Sequence, residues 1–197
     1  MGRNRRAFTR SIGNKPYKKL FVLAVEGSKT EPQYFRLFNN RDAVVRIVFL
    51  KSKASAPHYI LKSMKDFLAE NPLKQNDWAW IVADKDYWTE EQLGSLCEWS
   101  QESDNYGLAV SNPKFEFWLL LHFEDGSNAT SSAQCDDRLR RHVPDYDKDI
   151  DPSKFTDTAI RKAINYARQR DNPPSNDWPR KPGTTTVYKL VELLIQK

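Results

Sequence analysis

The chain has 197 residues, of which 39% are hydrophobic, 29% charged and 12% aromatic, with two cysteines and a formal net charge of +5. That length supports one domain with its own core, the aromatic content argues against disorder, and no apolar run approaches the ~20 residues of a membrane span. Cys97 and Cys135 are too few for a disulfide framework and too far apart for a CxxC pair. The start of the chain is basic but lacks the apolar segment of a secretory signal, so a soluble, cytoplasmic protein is expected.

Residues 1–19 hold Arg3, Arg5, Arg6, Arg10, Lys15, Lys18 and Lys19 and no acid, a charge of +7 that leaves −2 on residues 20–197. The isoelectric point of 9.1 therefore describes the arm and not the body. Arg3, Arg5 and Arg6 are candidate nucleic-acid contacts, since each cation set on a phosphate releases a counterion. A plain basic tail is the alternative.

From residue 20 the pattern alternates. The run LFVLAV at 20–25 predicts a buried strand that ends at Glu26-Gly27. Thr30 is expected to cap a short helix carrying Tyr34, Phe35 and Phe38 at helical spacing. VVRIVFL at 44–50 predicts a second strand, and Ile60, Leu61, Met64, Phe67 and Leu68 mark one face of a helix over 56–70. WAWIVA at 78–83 predicts a third strand, closed by Asp84-Lys85-Asp86, and a helix capped by Thr89 follows to Ser100. YGLAV at 106–110 predicts a fourth strand, then a helix over 114–123 that is apolar on most sides.

Beyond it, residues 125–133 read as a loop and 134–142 and 152–170 as helices. Four prolines make 171–183 an extended linker, and 184–196 reads as a last helix packed back on the body. The expected organisation is an arm (1–19), an α/β core with a mostly parallel sheet and helices on both faces (20–124), and a helical extension (125–197).

Open parallel sheets do their chemistry outside the carboxyl ends of the strands. Glu26 falls there on the first strand with Glu31 five residues on, Asp84 and Asp86 fall there on the third, and Glu116 closely follows the fourth. Carboxylates converging on one edge repel unless a cation neutralises them. Hard oxygen donors select Mg²⁺ or Mn²⁺, and His58, His122 and His142 do not cluster in the manner of a zinc site. Each acid alone also reads as a helix cap or turn residue, and Glu116 as a structural partner for a buried Arg. The DxD after the third strand, not the first, argues against a HAD-type phosphatase.

Glu at the first strand and DxD at the third resemble the Toprim fold. More closely, the chain resembles the RloB-like family of bacterial defence loci, through VEGSKTEPQYF (25–35), VADKDYW (82–88), SNPKFEFWLLLHF (111–123) and TTTVYKLVELL (184–194). The resemblance implies metal binding and acid–base work for Glu26 and metal binding for Asp84 and Asp86. Glu31 matches the second Glu of overcoming-lysogenization-defect-type Toprim nucleases, one residue further from the first. Glu116, with Ser111 and Asn112, matches the SNPxFExW string, and an ATPase partner is implied.

Two functions are therefore expected alternatives. One is a Mg²⁺- or Mn²⁺-dependent phosphodiesterase, a nuclease of anti-phage defence with Glu26, Asp84, Asp86 and Glu116 catalytic and Glu31 as a further metal ligand. Lys29, Lys85 and Lys114 are its candidate phosphate contacts, and Tyr87, Trp88 and Trp118 its candidate stacking rings. The other is a non-catalytic subunit that senses nucleic acid or a nucleotide for an ATPase. For the arm, removal of residues 1–19 should weaken nucleic-acid binding and flatten its salt dependence. Unchanged affinity at low salt would leave the arm a plain tail.

Overall fold

The computed structural model of the chain describes residues 19–39, 45–50, 56–144 and 146–196. Arg3, Arg5 and Arg6 lie outside these residues. Lys19 opens the first strand, so a truncation that spares the sheet ends at residue 18.

The apolar runs form β1 (Lys19–Val25), β2 (Val45–Leu50), β3 (Trp78–Asp84) and β4 (Tyr106–Asn112). The periodic segments form α1 (Thr30–Arg36), α2 (Pro57–Glu70), α3 (Glu90–Ser100) and α4 (Phe115–Leu120). As the alternation predicts, β1 pairs in parallel with β2 and β3, and β3 pairs in parallel with β4. The order β2-β1-β3-β4, with a two-residue β5 (Thr184–Thr185) at the β4 edge, places the first crossover on one side of β1 and the later ones on the other. A crevice is expected where that direction reverses, outside the carboxyl ends of β1 and β3.

Alternation along the strands feeds two cores. Phe21, Leu23 and Val25 of β1, with Trp80 and Val82 of β3, face α1, α4 and the C-terminal helices. Val22, Ala24, Ala79, Ile81 and Ala83 face the other way, onto Ile60 and Met64 of α2 and Leu93 and Leu96 of α3. Every residue of α4 is buried, in accord with its apolar run.

The C-terminal part comprises α5 (Ser132–His142), α6 (Asp157–Arg170), β5 (Thr184–Thr185) and α7 (Val187–Ile195). Three local expectations change. The helix expected over 152–170 divides into a 3₁₀ turn, Pro152–Lys154, and α6, because Thr156 stops the chain and accepts a capping bond from Ala159 N at 3.3 Å. The last helix begins at Val187 and not 184, because β5 pairs antiparallel to β4. Thr186 extends this pairing, exchanging bonds with Val110 through its N–H and Oγ1, both at 2.9 Å. Residues 171–183 are no free linker: Trp178 is buried, and the Asn112 amide donates to the carbonyls of Pro179 (3.1 Å) and Arg180 (3.0 Å). Cys97 and Cys135 are buried free thiols, and among the described residues no helix is long and apolar enough to cross a membrane.

Thr30 is the first residue of α1 and does not cap it. Its hydroxyl donates to Lys148 O at 3.2 Å and lies 3.3 Å from Tyr146 Oη, so it docks a distant loop.

His122 closes the first core, ringed by Tyr34, Trp118 and Phe155. Its Nδ1 lies 3.1 Å from Trp118 O and 3.2 Å from Leu119 O, and its Nε2 lies 3.1 Å from Tyr34 Oη. Carbonyls only accept, so Nδ1 carries the proton and Nε2 accepts from the tyrosine. Burial holds the imidazole pKa at about 4, below the ordinary 6.5. A histidine with a depressed pKa contributes stability that is whole above 6.5 and lost as pH falls toward 4, about 3 kcal/mol here. Nitrogen NMR should find the His122 ring neutral, with Nδ1 protonated, at pH 5.5. Titration near 6.5 would contradict the buried placement.

Candidate functional site at the carboxyl edge of the sheet

β1 and β3 run side by side to their ends, with Val25 opposite Val82. Glu26 N continues that pairing by donating to Val82 O at 3.1 Å. The Glu26 carboxylate lies over the end of β3, where Oε2 accepts from Asp84 N and from Trp88 Nε1, both at 3.0 Å. Trp88 is thus a donor to Glu26, with its ring packed on the second core.

The next residue, Gly27, leaves room for a second acid. Its N–H donates to Glu31 Oε1 at 2.8 Å, and a Cβ at this position would lie 2.1 Å from Glu31 Oε2. Glu31 sits in the first turn of α1, 5% exposed, and occupies the space a larger residue at 27 would take.

Asp84 ends β3, and the loop after it is bracketed to the end of β4. Lys85 N donates to Ser111 O (2.8 Å) and Pro113 O (3.1 Å), and Asp86 N donates to Pro113 O (3.0 Å). Ser111 Oγ lies 2.9 Å from Thr185 Oγ1, while Asn112 holds the 179–180 segment described above. The Ser-Asn-Pro string is therefore a brace joining three segments of chain, and Glu116 is the residue that carries it to the acids.

Glu116 lies in the first turn of α4, 3% exposed. Its Oε1 accepts from Tyr146 Oη at 3.0 Å and from Lys148 Nζ at 3.3 Å. Lys114 Nζ is 3.9 Å from Glu116 Oε2 but 2.8 Å from Asp136, its main partner.

The carboxyl groups feel one another. Burial raises the pKa of Asp84 well above the usual carboxylate value, and the charges of Glu31, Glu26 and Glu116 add to it. Burial also raises Glu31, with Glu116 and Glu26 contributing in the same sense. Glu26 is raised by burial and by Asp86, against the bonds from Asp84 N–H and Trp88. Glu26, Glu31, Asp84 and Glu116 are thus brought together. Asp86 stands exposed beside Glu26, and its Oδ2 accepts from Ser132 Oγ at 2.7 Å. As these side chains are turned, no group of three or more His, Cys, Asp or Glu among the described residues is arranged to hold a metal ion. Several of the carboxylates point instead at protein donors.

The three lysines expected near a phosphate all have internal partners. Lys29 Nζ reaches Asp147 O (3.2 Å) and Asp149 (3.0 Å), Lys85 Nζ donates to Trp88 O (2.9 Å), and Lys114 pairs with Asp136. Trp118 is fully buried, whereas Tyr87 is 83% exposed.

Tyr146 and Lys148 escaped the sequence reading. No motif marks the string Tyr146-Asp147-Lys148-Asp149, and only its docking on α1, 116 to 118 residues away in the chain, brings it to the acids. Thr30, expected as a cap, was the available signal.

The sheet order and this edge define an α/β protein with an acidic site where the strand order reverses. A model of RloB-like proteins matches residues 21–194, and the chain belongs to the RloB-like family. No curated protein and no solved structure matches it.

A raised carboxyl pKa costs stability above the folded pKa, and the cost fades as pH falls through that value toward the ordinary 3.8. Asp84→Asn should therefore raise the melting temperature in metal-free buffer at pH 8, by roughly 2–6 °C. The gain should shrink as pH is lowered. A variant that melts lower at every pH would make Asp84 a structural cap.

Proposed function

We propose that this chain is a Mg²⁺- or Mn²⁺-dependent phosphodiesterase of the Toprim type, a nuclease that acts in bacterial anti-phage defence with an ATPase partner. The observation that carries the reading is the meeting of Glu26, Glu31, Asp84 and Glu116 at the switch point between β1 and β3, with three of their pKa values raised. Such a set is costly in isolation and becomes favourable around a cation.

The donors fit the ion. All are hard carboxylate oxygens, as Mg²⁺ and Mn²⁺ require. Glu26, Asp84, Asp86 and Glu31 would hold it, and when bound it supplies charge to polarise a phosphate and to lower the pKa of a water. The bonds from Asp84 N and Trp88 fix Glu26 through Oε2 and leave Oε1 as the oxygen not engaged by those two donors. A carboxylate with a raised pKa is also a better proton acceptor near neutral pH, which suits Glu26 to acid–base work. The exposed Tyr87 ring at the rim offers a stacking surface for a base, and Arg3, Arg5 and Arg6 offer phosphate contacts outside the described residues.

One observation favours the second reading, a non-catalytic subunit that senses nucleic acid or nucleotide for its ATPase. Glu116 already has cations in Lys148 and Lys114, and Lys29 and Lys85 are occupied internally. Substitution at Glu26 decides between them. In the complex with the ATPase, the wild type should cleave nucleic acid with Mg²⁺ or Mn²⁺. Glu26→Gln should lose cleavage by at least ~100-fold, with fold and nucleic-acid binding retained, because the amide keeps the shape and loses the basicity. Full activity of Glu26→Gln, or no cleavage of any DNA or RNA by the wild type, would favour the sensing subunit.

A further inference from the structure

The loop that carries Lys148 is tied down on both sides of that residue. Thr30 Oγ1 donates to Lys148 O, the Gln33 amide donates to Asp149 at 2.9 Å, and Gln33 Oε1 accepts from Ile150 N at 2.9 Å. Lys29 adds its bond to Asp147 O at 3.2 Å. Lys148 itself sits at φ 67°, the left-handed region that is costly for a residue with a Cβ. Its side chain, 60% exposed, nonetheless reaches the nearly buried Glu116.

Burial works against the charge on Lys148, but Glu116, with Glu31 and Asp84 beyond it, outweighs burial and holds the ammonium charged. Lys148 thus touches Glu116 and feels the charges of Glu31 and Asp84, two of the residues that would hold the proposed metal. The other cation near Glu116, Lys114, is committed to Asp136 at the shorter distance.

We infer that Lys148 is a built-in counter-ion for the Glu116 side of the acid cluster and competes with the divalent cation for it. In the metal-free protein the ammonium offsets part of the repulsion and tethers the loop 146–150 to α4, while Thr30 and Gln33 hold it on α1. When a divalent cation binds, the second positive charge lowers the affinity of the cluster for Lys148, and by linkage Lys148 lowers the affinity for the cation. The side chain is then released and the loop, still held by Thr30 and Gln33, loses its tether to α4. This competition rests on the metal reading of the site, whereas the counter-ion role of Lys148 in the metal-free protein does not.

Two measurements separate these parts. The first is Mn²⁺ titration by calorimetry, with exchange of the 146–150 amides followed in parallel. Lys148→Met should bind Mn²⁺ about tenfold more tightly than the wild type, Lys148→Arg should restore the wild-type affinity, and Mn²⁺ should speed amide exchange at 146–150 in the wild type. Lys29→Met, which removes the same charge from a neighbouring position, should change the affinity much less. An equal gain in Lys29→Met, or no gain in Lys148→Met while the wild type still binds Mn²⁺, overturns the competition and leaves the metal reading standing.

The second is a metal-free double-mutant cycle on thermal stability between Lys148→Met and Glu116→Gln. Lys148→Met should lower the melting temperature in the wild-type background and have little effect in the Glu116→Gln background. Equal effects in both backgrounds overturn the counter-ion role. If Mn²⁺ binds to no form while the cycle still shows coupling, the metal reading and the competition fail and the counter-ion role stands.

Discussion

Four carboxyl groups at one edge of a sheet repel one another, and much of the architecture near that edge can be understood as holding them in place. Glu26 is fixed by a backbone amide and an indole, Glu31 by the amide of Gly27, and Glu116 by a phenol and an ammonium. Bonds of this kind, made to a charged acceptor, are the strong ones. They offset burial only in part, because the pKa values of Glu26, Glu31 and Asp84 remain raised. An arrangement that leaves acids under such strain is characteristic of functional sites.

The same requirement explains why distant stretches of chain belong to one fold. The Asp84–Asp86 loop needs its backbone donors satisfied, and Ser111 and Pro113 supply the acceptors. Asn112 in turn fastens residues 179–180, and Ser111 meets Thr185 of β5. The C-terminal segment thereby braces β4, and α5, α6 and α7 share one apolar cluster with α1 and α4. A change at Asn112 would reach the acids through the backbone without touching a carboxylate.

Much of this was legible from the sequence where the signal is local. β1 to β4 follow from continuous apolar runs, α2 and α3 from helical spacing, and the location of Glu26 and Asp84 from the rule that parallel strands present chemistry at their carboxyl ends. What was hidden depends on long-range pairing. Thr184–Thr186 read as part of a helix because two or three residues carry no period, and only β4 gives them a strand partner. Thr30 read as a cap because its type and place allowed it, whereas its hydroxyl is used by the 146–148 loop. Lys148 carries no signal of its role, because nothing in its neighbourhood along the chain announces Glu116.

The proposed divalent-cation site rests on the acids at the ends of β1 and β3. Crystals of the protein grown with Mn²⁺ and measured at the manganese absorption edge test it most directly. An anomalous peak bonded to carboxylate oxygens of Glu26 and Asp84, with Glu31 or Asp86 turned toward it, is the predicted result. Full Mn²⁺ occupancy elsewhere, with Glu26 still bonded to Asp84 N and Trp88 and no peak between β1 and β3, would contradict it.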